Sequence, residues 1–256
     1  MKHAELETLL EQAASEPAFR PAFFQALLDA DVWVLGKSVE QQLTADSAVD
    51  LTHWEKEDGE SVIPFFTSEQ VLNEVCEAGD PWVKLPVRTL FELTRGEKLF
   101  LNPKRPTGKE FSAAEIEALL TYQGNALSEQ SVVEGSEVLL MSAVEELPAQ
   151  LVSSLTTLFA GIKPVRRAFL AEIREGTEQA ANLLIGIEAD EDIESIIQQA
   201  GQIAIDTLPD DALIDLCEIT SQSYGVSHFF TAHITPFYER RWGSFLRDYK
   251  GSQRIL

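Results

Sequence analysis

The chain of 256 residues is 45% hydrophobic and 24% charged, a composition typical of a folded globular protein with two modest domains. Its 42 acidic and 20 basic residues give a net charge of −22, which disfavours a nucleic acid or an anionic membrane as partner because like charges repel. The two cysteines, Cys76 and Cys217, form no Cys-x-x-Cys pair, so neither a disulfide framework nor a zinc site is predicted.

The sequence predicts no targeting or membrane-spanning segment. Glu5 and Glu7 stand where a signal peptide would need an apolar stretch. Uncharged stretches such as residues 147–162 are too short to cross a bilayer as a helix and are interrupted by Ser, Thr and Gln. We therefore expect a cytoplasmic protein.

The first half of the chain alternates short helices with short strands. The spacing of apolar residues predicts helices near residues 6–13, 21–28, 71–75, 89–94 and 116–120, and strands near residues 31–36, 82–87 and 98–103. Asp58 and Gly59 form a pair that tolerates the positive φ angles of a tight turn, so residues 51–66 are predicted to form a β-hairpin.

Two helix starts in this half match the capping-box pattern, in which a hydroxyl residue and an acidic or amide residue three positions later satisfy free N–H groups. Thr67 with Gln70 predicts one such start, and Ser112 with Glu115 predicts the other.

The second half begins after a stretch rich in Gly, Ser, Asn and Gln, residues 122–137, which indicates a domain boundary. We expect a first α+β domain over residues 1–124 and a second over residues 136–256. The second domain is predicted as strand 138–141, helix 151–162, strand 165–173, strand 183–187, helix 193–204 and strand 213–218. This βαββαβ order is that of a ferredoxin-like, split βαβ fold, and a C-terminal helix follows it.

Two patterns resemble chemical sites and are better explained by structure. The acidic run at residues 188–194 falls at a predicted helix start, where carboxylates favour the positive end of the helix dipole, and it lacks the spacing of an EF-hand. Cys217 and His228 lack a third partner and an oxyanion hole. No glycine-rich phosphate loop is present, so we expect no catalytic residue, no cofactor site and no metal site.

The C-terminal segment differs in charge from the rest of the chain. Residues 233–256 contain five basic and two acidic residues, giving +3, while the other 232 residues carry −25. Aromatic residues recur in it at steps of four, three and four, which predicts one face of a helix over residues 236–249. These rings either pack on the protein's own body or face a partner. The candidate partner surface comprises Tyr238, Arg240, Arg241, Trp242 and Arg247.

Several long segments resemble one family. They are "RPAFFQALL", "VDLTHWEKEDGESVIPFFTS", "LFLNPKRPTGKEF", "NLLIGIEAD" and "HITPFYERRWGSFLRDYK". Together they resemble the enhanced serine sensitivity protein family, SseB, over nearly the whole chain. The resemblance implies a cytoplasmic bacterial protein with an SseB N-terminal and an SseB C-terminal domain, and it supplies no catalytic residues.

The expected function is a non-enzymatic, protein-binding or regulatory module. Its partner would be another protein or a second copy of the chain. The alternative is a sensor of small molecules such as amino acids, because the βαββαβ domain resembles regulatory domains of that topology. That argument rests on fold analogy alone.

Overall fold

In the computed structural model, the described residues are 2–38, 44, 47–56, 59–77, 79–122, 139–175, 181–209, 212–221 and 225–240. The chain divides into two compact units, Met1–Glu129 and Gln130–Leu256. Each unit contains its own β-sheet with helices packed against it. The predicted α+β fold class is therefore confirmed.

The first unit combines five helices with a seven-stranded sheet in the described residues. Its helices are α1 (Lys2–Ser15), α2 (Arg20–Leu28), α3 (Glu69–Val75), α4 (Val87–Leu93) and α5 (Ala113–Tyr122), and a short 3-10 turn covers Pro17–Phe19. Its strands are β1 (Asp31–Ser38), β2 (Val49–Leu51), β3 (Trp54–Glu55), β4 (Ser61–Phe66), β5 (Trp82–Pro86), β6 (Leu99–Leu101) and β7 (Lys109–Phe111). The main strand order is β2-β1-β4-β6-β7, with β5 also paired to β1 and β3 paired to β4.

The core of the first unit is built largely from phenylalanine rings. Phe111 lies within 6.4 Å of the Phe24, Phe65 and Phe91 rings, measured between centroids. Phe65, Phe91 and Phe111 are fully buried. Because these rings come from α2, α4, β4 and β7, they connect two helices with two strands of the sheet.

The predicted hairpin is confirmed. Trp54 of β3 is paired with Val62 of β4 in an antiparallel register, and Gly59 between them has a φ of 83°. This left-handed backbone conformation is one that glycine adopts without steric penalty.

One predicted helix cap is confirmed and the other is wrong. Ser112 Oγ accepts a hydrogen bond from the Glu115 N–H at 3.2 Å, as expected at the start of α5. At α3, however, the cap is Ser68, whose Oγ accepts from the Val71 N–H at 3.2 Å. The neighbouring Thr67 is instead completely buried and bonds to residues distant in sequence.

The second unit has the predicted βαββαβ order, followed by two further elements. Its elements are β8 (Leu139–Ala143), α6 (Ala149–Gly161), β9 (Val165–Glu175), β10 (Asn182–Ala189), α7 (Ile193–Thr207), β11 (Ile214–Glu218), α8 (Gly225–His233) and β12 (Tyr238–Glu239). The helix α8 was not predicted from the sequence.

The strand pairing of the second unit differs from the predicted split βαβ arrangement. In a split unit, another strand separates the two parallel strands that a helix connects. Here β10 and β11, which α7 connects, are parallel and directly adjacent. The strands on either side of α6, β8 and β9, are also adjacent, and they are antiparallel. The element order was therefore predicted correctly, but the ferredoxin-like topology was not.

Helices cover both faces of this sheet. Residues along β9 alternate between the two faces, so Ala168 and Phe169 point in opposite directions. Phe169 packs against Phe230 of α8, with ring centroids 5.6 Å apart. The opposite face of β9 lies toward α6, because Tyr238 is paired with Ala168 and reaches Phe159 of α6.

The predicted C-terminal helix is wrong in its described part. Tyr238 and Glu239 form β12, an antiparallel strand on β9. The physical reason is that β8 pairs only with residues 171–175 of β9, which leaves the peptide groups near Ala168 on the same edge available for another strand. The remainder of that prediction, residues 241–249, lies outside the described residues.

Candidate partner-binding site

The short strand β12 positions the candidate site at one edge of the second sheet. The Phe237 N–H donates to the Ala168 carbonyl oxygen at 2.9 Å, and the Arg240 N–H donates to the Arg166 carbonyl oxygen at 2.8 Å. These two backbone hydrogen bonds flank the Tyr238–Glu239 pairing and fix the course of the chain as far as Arg240.

The Tyr238 ring packs on the protein's own body, which is one of the two alternatives that the sequence left open. Its hydroxyl donates to the Phe159 carbonyl oxygen at 3.0 Å, and the Phe159 and Tyr238 ring centroids are 5.6 Å apart. Burial raises the pKa of the Tyr238 phenol, and the nearby Arg240 partly opposes that effect. Tyr238 therefore secures β12 against α6, which makes it a structural residue of the site.

Three arginines lie beside β12, and we call Arg166, Arg167 and Arg240 the arginine cluster. Arg166 and Arg240 both reach Asp190, whereas the Arg167 guanidinium lies 5.3 Å from the Phe169 ring, on the other face of the sheet. Arg167 Nε donates to Glu188 Oε2 at 2.5 Å, and Arg240 Nη2 donates to Asp190 Oδ2 at 3.1 Å. Arg240 also donates to the Lys163 carbonyl oxygen. Within the described part of the chain, the Arg166 guanidinium contacts Glu188 and Asp190 only at 3.6 and 3.7 Å, beyond good hydrogen-bond distance.

These contacts revise the interpretation of the acidic run at residues 188–194. Its first carboxylates, Glu188 and Asp190, hold the arginine cluster in place rather than capping a helix. Asp192 is the residue before α7, has a φ of 58°, and makes no capping hydrogen bond through its side chain. Asp192, as the N-cap residue, and Glu194, in the first turn of α7, have the expected position near the positive end of the helix dipole.

A pocket of about 230 Å³ opens between these side chains, and Arg166, Arg167, Glu239 and Arg240 line it. Three arginines and one glutamate line it, and the arginines also contact Glu188 and Asp190. Because guanidinium groups stay protonated and present several N–H donors in one plane, such a wall suits carboxylate or phosphate oxygens. It can bind an anion through these N–H donors.

Of the predicted surface residues, the structure brings Tyr238 and Arg240 to this site. Arg241, Trp242 and Arg247 lie outside the described residues. Sequence reasoning missed Arg166 and Arg167, although two adjacent arginines at the start of a predicted strand in so acidic a chain were a usable signal.

Cys217 and His228 do not form a nucleophile–base pair. Cys217 packs beneath α8 with Phe230 and its neighbours, whereas His228 is exposed and lies 6.3 Å from the His233 ring, measured between centroids. Burial, with a contribution from Asp215, raises the pKa of the Cys217 thiol to about 12. Across the described residues, no group of three or more His, Cys, Asp or Glu side chains could hold a metal ion.

The cysteine thiols should therefore react slowly in the folded protein. With a pKa of about 12, on the order of one Cys217 in ten thousand is a thiolate at pH 8. Burial also raises the pKa of Cys76. We expect iodoacetamide at pH 8 to label Cys217 far more slowly in buffer than in urea, as followed by peptide mass spectrometry. Equal rates in the two conditions would contradict the observed burial.

None of the helices in the described ranges is long and apolar enough to cross a membrane.

Fold and site together define a two-unit α+β protein with an arginine-lined pocket at one edge of its second sheet. The chain belongs to the SseB family: the SseB protein N-terminal domain matches residues 6–118 and the SseB protein C-terminal domain matches residues 132–240. It is 58% identical over 252 residues to Protein SseB of Escherichia coli (strain K12) and, equally, of Shigella flexneri, covering 98% of this chain and 98% of each relative. No solved structure matches the chain significantly. The resemblance to the enhanced serine sensitivity family is thus confirmed.

Proposed function

We propose that the protein is a non-enzymatic, cytoplasmic protein-binding module that holds an acidic segment of a protein partner at the arginine cluster. The observation that carries this proposal is that Arg166, Arg167 and Arg240 line one pocket of a chain whose net charge is −22. Arginine is among the residues that contribute most to protein interfaces.

The charge of the whole chain argues for an acidic protein segment over a nucleic acid or a membrane. A large polyanion would be repelled by the net charge of −22, whereas one short acidic segment needs to contact only the arginine cluster.

The fold comparison that suggested amino-acid sensing does not hold for the second unit. That argument compared the second domain with ferredoxin-like regulatory domains, and the adjacent, parallel pairing of β10 and β11 does not have that topology.

A charge reversal tests the proposal, and the same strand provides a matched control. Arg166 and Arg174 lie at opposite ends of β9, have side chains 51% and 49% exposed, and contact carboxylates no closer than 3.6 Å. Arg166→Glu should abolish capture of a partner from bacterial lysate, while Arg174→Glu should leave capture unchanged. Because both pairs are exposed, we expect each stability change to stay within about 1 kcal/mol.

The dependence of binding on ionic strength and the oligomeric state of the protein provide two further tests. Binding through the arginine cluster should weaken as ionic strength rises, because exposed charges are screened. Analytical ultracentrifugation of the purified protein identifies a second copy of the chain as the occupant if Arg166→Glu alone dissociates an oligomer. Equal loss of capture in the Arg166→Glu and Arg174→Glu proteins, or no specific capture by the unmodified protein, would contradict the proposal.

A further inference from the structure

The first unit contains a second pocket, independent of the arginine cluster, beside the loop that joins β6 to β7. This pocket measures about 80 Å³. It is lined by residues of α1 and of the loop, namely Glu7, Leu10, Glu11, Asn102, Arg105, Pro106 and Thr107.

A buried polar network holds the acidic wall of this pocket in position. Thr67, completely buried, donates its N–H to Asn102 Oδ1 at 3.0 Å, and Asn102 Nδ2 donates to Thr67 Oγ1 at 3.1 Å. The Thr67 hydroxyl in turn donates to Glu7 Oε1 at 2.9 Å. Ser68 Oγ also approaches Glu7 Oε1, at 3.4 Å. Among the described residues, both hydrogen bonds to the Glu7 carboxylate therefore use Oε1. The other oxygen, Oε2, remains for a ligand in the pocket.

The loop opposite that wall has a fixed backbone. Asn102 and Lys104 have φ angles of 50° and 64°. These angles lie in the left-handed region, which residues other than glycine adopt only rarely. A Cβ atom at Gly108 would lie 2.9 Å from the carbonyl oxygens of Leu101 and Asn102, so this position accepts glycine alone. The loop therefore presents its side chains to the pocket from a preorganised backbone.

The two walls carry opposite charges. Glu7 and Glu11 are one helical turn apart on α1, where like charges destabilise each other and a cation between them is favourable. Arg105 supplies a guanidinium on the loop side, and its contact with Glu74 uses NH1. The other N–H donors of the group remain for a carboxylate. The Thr107 hydroxyl has no hydrogen-bond partner among the described residues and lies on the same side.

From this arrangement we propose that the pocket binds a free α-amino acid with a small side chain. Its ammonium group lies between Glu7 and Glu11, and its carboxylate accepts hydrogen bonds from Arg105 and Thr107. Leu10, which is 4% exposed, forms an apolar floor for the side chain. One water requires roughly 10–15 Å³ of such space, so a pocket of about 80 Å³ suits a ligand of about six or seven heavy atoms.

L-Alanine is the probe, and the two charged walls are tested separately. Backbone amide shifts of the full chain, recorded by NMR during titration, should change and saturate at Arg105 and Thr107. Arg105→Gln and Glu11→Gln should each weaken binding at least tenfold. Their controls, Arg95→Gln and Glu5→Gln, remove the same groups from exposed positions of the first unit away from the pocket and should leave affinity unchanged.

Ligand analogues complete the test. N-acetyl-L-alanine lacks the ammonium group and L-alaninamide lacks the carboxylate, so both should bind at least tenfold more weakly than L-alanine. Absence of any saturating shift up to the solubility limit of L-alanine would overturn the inference, as would equal affinity of the analogues or of the Arg105→Gln and Glu11→Gln proteins. The Arg166→Glu protein should bind L-alanine normally, so this inference and the protein-binding proposal can fail independently.

Discussion

Phe111→Ala should destabilise the first unit by about 3–5 kcal/mol, the usual cost of emptying a fully buried phenylalanine site. The space cannot easily collapse, because the rings of Phe24, Phe65 and Phe91 surround it on three different elements. Three of the four tryptophans belong to this unit, so urea unfolding followed by tryptophan fluorescence mainly reports its stability.

Phe100→Ala is the matched control for that experiment. Phe100 occupies the strand next to Phe111 in the sheet but is only partly buried. Its removal should cause a clearly smaller loss, because less apolar surface returns to water. If the two substitutions lowered the free energy of unfolding equally, the phenylalanine cluster would not be the main source of stability in the first unit.

Gly186→Ala should destabilise the second unit by about 1–3 kcal/mol, although it adds only one methyl group. A Cβ atom at Gly186 would lie 2.7 Å from Ile219 Cδ1 and 2.8 Å from Phe230 Cε2. Phe230 is fully buried and cannot withdraw without moving α8. The expected loss exceeds the stabilisation of about 0.4–1 kcal/mol that glycine-to-alanine changes give through the unfolded chain.

Gly161→Ala is the matched control in the same unit, because an added methyl group there meets no neighbouring atom. Nothing lies within 4 Å of a Cβ atom at this position, at the end of α6. We expect it to be neutral or stabilising. Hydrogen exchange with mass spectrometry distinguishes the two variants, since Gly186→Ala should increase exchange in β9 and β10 while leaving the first unit unchanged. Slower exchange in β9 and β10 of Gly186→Ala would show that α8 does not close tightly over the sheet.

Features that depend on residues close in sequence were predictable. The β3–β4 hairpin follows from a turn pair between two apolar stretches, and the βαββαβ order follows from the spacing of apolar residues. The pairing of those strands was not predictable, because the same order of elements is compatible with a split or an adjacent arrangement. Only packing of the whole sheet decides between the two.

Contacts with residues distant in sequence explain the two other incorrect predictions, the helix cap at Thr67 and the C-terminal helix. Thr67 and Ser68 both match a helix cap, but Thr67 is committed to Asn102 and Glu7, which lie 35 and 60 positions away. The segment after Pro236 has helical spacing of its rings, yet the free edge of β9 takes Tyr238 and Glu239 into the sheet. The candidate site was therefore half predicted. Arg240 was identified from its own segment, whereas Arg166 and Arg167 joined it through tertiary pairing.

The position of β12 also determines when the arginine cluster can assemble during folding. The β9–β10 pairing begins between Ile173 and Asn182, only nine positions apart, whereas Tyr238 pairs with Ala168 across 70 positions. Loop-closure entropy makes the longer closure about 2 kcal/mol less favourable, and such distant pairs form late. During synthesis, Arg166 and Arg167 therefore emerge and fold well before Arg240 exists to join them. A partner that recognises all three arginines distinguishes a second unit that has finished folding from one that is still incomplete.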